Sequence, residues 1–66
     1  MISVNGESVA NQAGQTILAL LTQRHAPIDN LVVELNGQII HRPAFATTTL
    51  HTDDRVELIS FVGGGR

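Results

Sequence analysis

The residues best placed to do chemistry stand last in the chain. Val56-Glu57-Leu58-Ile59-Ser60-Phe61-Val62 is an apolar, strand-like run that passes without a polar linker into Gly63-Gly64-Gly65-Arg66. A glycine run buries no side chain, so no hydrophobic core needs it. At about 3.3 Å per residue, three glycines reach roughly 10 Å beyond a folded body. Without Cβ atoms they can thread a channel too narrow for other residues and adopt any φ inside it. Those are the requirements for delivering a backbone carboxylate into another protein's active site.

Other residue sets are weaker candidates. Ser60, His51 and Asp53 are the residue types of a hydrolytic triad, but no nucleophile-elbow motif surrounds the serine. His25, His41 and His51 lack close metal-ligand spacing. Asp53-Asp54 lacks the further oxygen ligands of a calcium loop and reads as a turn. A chain of 66 residues leaves little room for a deep pocket, so an enzyme acting alone is not expected.

Composition narrows the function classes further. A domain of about 60 residues buries only about 60% of the surface its unfolded chain exposes. With 42% hydrophobic residues, no Trp, no Tyr and only two Phe, the core must be aliphatic. There is no Cys, so no disulfide framework or cysteine zinc site supports the fold, and no side-chain thiol can carry sulfur or an acyl group. There is no Lys either, so no side-chain amine is offered for a Schiff base or an isopeptide bond. The net charge of −2, with no basic run, removes the electrostatic footprint of a nucleic-acid binder. No segment has membrane-spanning length and no signal-peptide pattern opens the chain, so a cytoplasmic protein with no membrane partner is expected.

The elements that must position the tail follow from local pattern. Asn5-Gly6 between Ile2-Ser3-Val4 and Glu7-Ser8-Val9 predicts a hairpin with a type I′ turn, which needs φ > 0 at both central residues. Ile2, Val4 and Val9 then share one face. Asn11 to Gln15 reads as a loop, and Thr16 as the N-cap of a helix of two to three turns with an Ile17, Leu20, Leu21 stripe. Arg24 and His25 suit the negative end of that helix, and Pro27 forbids its continuation. Asn36-Gly37 repeats the hairpin device and places Leu31, Val33, Leu35 and Ile40 on a core face. Residues 44–52 bury Phe45 and Leu50, with Thr47-Thr48-Thr49 either a strand or an irregular crossover. The last strand, Arg55 to Val62, turns Val56 and Leu58 inward and Ile59 and Phe61 outward. It is expected to lie parallel to the first strand in the middle of the sheet. This is an α+β domain over residues 1–62, a mixed four- to five-stranded sheet with one helix on one face, followed by a glycine-rich tail over 63–66.

On these features the chain resembles the ThiS family, the ubiquitin-like sulfur carriers of thiamin biosynthesis. The features are the Asn5-Gly6 hairpin, Gly14-Gln15-Thr16-Ile17 before a Leu-rich helix, Val32-Val33-Glu34-Leu35-Asn36-Gly37, and Asp54-Arg55-Val56-Glu57-Leu58-Ile59 leading to Phe61-Val62-Gly63-Gly64-Gly65. The resemblance covers essentially the whole chain and implies the β-grasp fold. It implies that an E1-like adenylyltransferase (ThiF-like) uses ATP to adenylate the carboxylate of Gly65, the second glycine of the Gly64-Gly65 pair. A persulfide sulfur donor then displaces AMP, and the resulting thiocarboxylate supplies sulfur to a thiazole synthase (ThiG-like). No bound cofactor is implied, because the sulfur rides covalently on the main chain. Ile59, Phe61, Val62 and Gly63 become the expected partner-binding residues. The same resemblance leaves open a carrier for molybdopterin synthesis or a ubiquitin-like protein modifier.

Arg66 departs from the family pattern. While it is present, the Gly65 carbonyl is held in a peptide bond and cannot be adenylated. Either a protease removes Arg66, or it is foreign to the natural protein, or the chain ending in Arg66 is not a working carrier.

Overall fold

A computed structural model describes residues 1–10 and 12–61. Two Asn-Gly turns build the framework. Asn5 and Gly6 take φ of 53° and 84°, Asn36 and Gly37 take 52° and 87°, the left-handed pair that a tight hairpin between right-twisted strands requires. The first turn joins β1 (Ile2–Val4) to β2 (Glu7–Val9), with Ile2 opposite Val9 and Val4 opposite Glu7. The second joins β3 (Leu31–Leu35) to β4 (Gln38–Ile40), with Val33 opposite Ile40.

The closing strand β5 (Arg55–Ser60) runs between these hairpins. It lies parallel to β1, with Val4 beside Val56, and antiparallel to β3, with Val33 opposite Leu58. The sheet order is β2-β1-β5-β3-β4, so the expected central, parallel placement is what the fold shows. A parallel pair needs a long crossover, and the helix lies within it. This mixed five-stranded sheet with one helix is the β-grasp arrangement.

Helix α1 (Ile17–Gln23) buries Ile17, Leu20 and Leu21 against the sheet. Seven residues make too short a helix to persist alone in water, and its ends are correspondingly well satisfied. The Thr16 hydroxyl accepts from the Ala19 N–H at 3.1 Å, while Ile17 N–H donates to the Thr48 carbonyl and Leu18 N–H to the Phe45 carbonyl. The helix closes at Arg24, its C-cap, so Arg24 and His25 lie just past the last turn rather than within it. His25 takes a left-handed φ of 54°. There the Ala26 N–H returns to the Leu21 carbonyl and the His25 N–H to the Thr22 carbonyl, the paired bonds of a Schellman stop.

The stretch the sequence left undecided has a definite role. A 3₁₀ turn at Arg42–Ala44 begins it, Phe45 and Leu50 are buried as expected, and Thr49 makes a single bridge to Thr16. It is therefore an irregular crossover, not a strand. Its carbonyls at Phe45 and Thr48 serve the helix N-terminus, so their hydrogen bonding is spent on α1 instead of on a sheet ladder.

Ile2, Val4, Ile17, Leu20, Leu21, Val33, Phe45, Leu50 and Val56 form the core, with Val9, Leu31, Leu35, Ile40 and Leu58 packed against it. No buried polar or charged residue interrupts it among the described residues. No helix of the described residues is long and apolar enough to cross a membrane.

Candidate functional site

The site is the C-terminal end of β5 and the sheet face around it. On one side β3 follows β5 to its end: Leu31 pairs with Ser60, and the Phe61 N–H donates to the Asn30 carbonyl at 2.9 Å. On the other side β1 stops at Val4, and the turn residue takes over. The Asn5 N–H donates to the Val56 carbonyl at 2.9 Å, and the Asn5 Oδ1 accepts from the Leu58 N–H at 2.7 Å. The side-chain amide thus stands where the next β1 carbonyl would be. The start of β5 is held in the same way from the other hairpin. Asn36 Oδ1 accepts from the Arg55 N–H at 2.8 Å, and Asn36 Nδ2 donates to Asp54 Oδ1 at 3.0 Å. Main-chain and amide bonds therefore fix the strand on both edges as far as Leu58 and on the β3 edge as far as Phe61.

The two faces of β5 differ as the alternation predicts. Val56 and Leu58 turn toward α1, with Val56 fully buried. Ile59 and Phe61 turn away and remain 48% and 46% exposed. Ile39 of β4, 56% exposed, joins them on the open face, and half-buried Val32 sits opposite Ile59. Glu34 and Glu57 lie directly opposite each other on that same face. Ile39 was legible in principle: with Ile40 facing the core, its strand neighbour must face outward. The Glu34–Glu57 pairing was not, because it depends on the register between strands distant in sequence.

Val62, Gly63, Gly64, Gly65 and Arg66, which hold the expected reactive terminus and part of the expected docking segment, lie outside the described residues.

The rejected sites hold no catalytic geometry. Asp54 Oδ2 accepts from the His51 N–H at 2.8 Å and lies 3.9 Å from His51 Nδ1, a turn-closing arrangement. Ser60 is about 20 Å further along β5 at roughly 3.3 Å per residue. No group of three or more His, Cys, Asp or Glu among the described residues could hold a metal ion. An open depression of about 580 Å³ beside Ile2, Val9 and Thr52 contains no Asp, Glu, His or Arg in its lining. It lies toward the start of β1, away from the end of β5.

Comparison with known proteins decides the family. The family model described as "ThiS family" matches residues 2–65. The chain belongs to the ThiS family. A crystal structure of a thiamine biosynthesis protein (ThiS) from Geobacter metallireducens superposes with a TM-score of 0.80 at 36% identity, covering 97% of each chain. A solution structure of a thiamine biosynthesis protein from the same organism gives 0.75 at 35% identity, covering 98% of this chain and 87% of that one. Among curated relatives, a thiazole synthase from Magnetococcus marinus is 32% identical over 65 residues, 98% of this chain and 20% of that protein. One from Paramagnetospirillum magneticum is 31% identical over 62 residues, 94% of this chain and 19% of that protein. This ThiS-family chain thus spans about a fifth of the length of the thiazole synthases it matches.

Proposed function

We propose that this protein is a sulfur carrier for thiazole formation in thiamin biosynthesis, acting as a co-substrate of enzymes rather than as an enzyme. The observation that carries the reading is the ThiS-family match, which extends through Gly63 and Gly64 to Gly65. The stretches similar to this chain within proteins named thiazole synthase support a ThiG-like partner.

The chemistry follows from what a carboxylate lacks. A free carboxylate is a poor acyl donor, so an E1-like adenylyltransferase joins the Gly65 carboxylate to the α-phosphate of ATP and releases pyrophosphate. The terminal sulfur of a donor persulfide attacks the acyl carbon and AMP leaves. A second thiol then reduces the acyl disulfide, which frees the thiocarboxylate and oxidises the two thiols to a disulfide. The protein's own contribution is mechanical. β5 is held firmly as far as Phe61, the glycines that follow in sequence are slim enough to enter the enzyme, and Ile59 and Phe61 offer apolar surface on the open face. The chain itself has no Cys or Lys, so none of its own side chains supplies a thiol or primary amine to divert the activated carbonyl.

Arg66 sets the test. Forms ending at Gly65 and at Arg66 are incubated with ATP, the E1-like enzyme and a sulfur source, and intact masses are measured. The form ending at Gly65 gains the mass difference of one oxygen replaced by sulfur, and the form ending at Arg66 does not unless a protease is added. A thiocarboxylate on the chain that retains Arg66 would refute the assignment to Gly65. No sulfur on either form would refute the carrier reading.

A further inference from the structure

The sheet ends in two outer strands, β2 and β4, and their free edges differ. β2, Glu7-Ser8-Val9, carries a charge, a common guard against pairing with a foreign strand. β4, Gln38-Ile39-Ile40, carries none, and its Ile39 is 56% exposed. Pro43 comes only after the strand has ended. The two-residue Asn36-Gly37 turn makes Leu35–Gln38 and Val33–Ile40 the pairs that exchange hydrogen bonds, and Glu34–Ile39 the non-bonded pair between them. The Ile39 N–H and carbonyl therefore point away from β3, off the edge of the sheet. By the same alternation so do the Gly37 carbonyl and the His41 N–H. Outside the strand ladders, no main-chain hydrogen bond among the described residues uses any of these four groups.

We propose that β4 is the edge at which two copies of this chain pair, antiparallel, about a two-fold axis through Ile39. Each Ile39 N–H then donates to the partner's Ile39 carbonyl, and each His41 N–H to the partner's Gly37 carbonyl, so all four free groups on each copy are satisfied at once. A two-fold contact sets residues at its centre against their own counterparts, so a charge there would repel itself. Gly37 to Ile40 carry none, and the two Ile39 side chains cover each other. The short strand makes the contact small, and a small contact gives a weak pair that forms with rising concentration. The dimer leaves the carrier end of each copy free. β5 runs in the same direction as β4, because each is antiparallel to β3, so the C-terminal ends of the two β5 strands point opposite ways. Five strand spacings of about 4.8 Å hold them roughly 24 Å apart. The pairing does not depend on the carrier reading.

Sedimentation equilibrium and amide NMR on the full chain, each over a concentration series, test this. The wild-type chain moves from one copy toward two between about 10 μM and 1 mM. The Ile39 and His41 amide signals shift with it, while that of Ser8 on the opposite edge stays in place. Ile39→Pro removes an N–H that the β3–β4 ladder does not use, which an edge strand tolerates. The variant keeps its fold, and its self-association weakens by about tenfold or more. Ile39→Lys keeps every main-chain group but brings two ammonium groups to the axis, and it weakens self-association to a similar degree. If Ile39→Pro fails to fold, Ile39→Lys decides alone. A wild-type chain that stays single at about 1 mM would overturn the proposal. So would concentration-dependent shifts centred on Ser8, or wild-type self-association in a folded variant of either kind.

Discussion

The two faces of the central sheet draw on similar apolar residues and put them to different ends. Toward α1, Val4, Val33 and Val56 meet Ile17, Leu20 and Leu21 and lose their water entirely. On the other face Ile39, Ile59 and Phe61 stay about half exposed around two opposed glutamates. The difference lies in what stands opposite each residue. Burying an aliphatic side chain fully contributes about 1.5–3 kcal/mol, and only the helix-covered face collects it in the isolated chain. The open face holds the same kind of surface in reserve, where contact with another molecule would release it.

The sharpest way to break this contrast is in the covered face. Leu21→Ala removes a fully buried side chain from between helix and sheet, with an expected loss of about 2–5 kcal/mol. That is a large part of the stability of any small domain. Urea denaturation checks it: the midpoint falls sharply with little change in slope. A loss near zero would mean that the covered face does not dominate stability.

The edges of β5 sharpen the comparison, because they hold the strand without belonging to either face. Asn36→Gly keeps a residue that accepts φ near 52° but removes the bonds to Asp54 and the Arg55 N–H. About 1–2 kcal/mol of destabilisation is expected. Asn5→Gly removes only the side-chain bond to the Leu58 N–H and costs about 1 kcal/mol. Its signature is local: amide exchange at Leu58 quickens more than at Leu35 or Val33. Uniform acceleration through the sheet would show that the Asn5 bond supports the whole fold rather than the end of β5.

These asparagines also mark where sequence reading succeeded and where it stopped. Asn-Gly between alternating apolar residues was enough to place both hairpins, and Thr16 before an i, i+3, i+4 stripe was enough to start the helix. Those features depend on a few adjacent residues. The asparagine amides reach β5 from turns far away in sequence, so no local pattern announces them. The segment from Ala44 to Thr52 was obscure for a related reason. Its carbonyls are committed to the helix N-terminus, and threonines with strand propensity end up making one bridge. For the site, alternation along β5 correctly turned Ile59 and Phe61 outward. The opposition of Glu34 and Glu57 required the register between strands joined by a long crossover, which alternation alone does not supply.

The smallest stability effect carries the most functional weight. Phe61→Asp alters a side chain on the open face just beyond the last rung of β5. Its backbone N–H bond to Asn30 is unaffected in kind. Thermal and urea unfolding are expected to move by no more than about 0.5 kcal/mol, as for surface substitutions away from buried features. Binding to the proposed adenylating partner is expected to fall steeply, because a carboxylate added beside Ile59 would be desolvated without a partner. Equilibrium unfolding and a binding titration on the same preparation separate the outcomes. If Phe61→Asp unfolds the domain, Phe61 anchors the fold and the open face is not the surface in reserve. If both stability and binding are unchanged, the enzyme grips the tail without touching this face. Only a stable variant that no longer binds keeps the division of labour between the two faces.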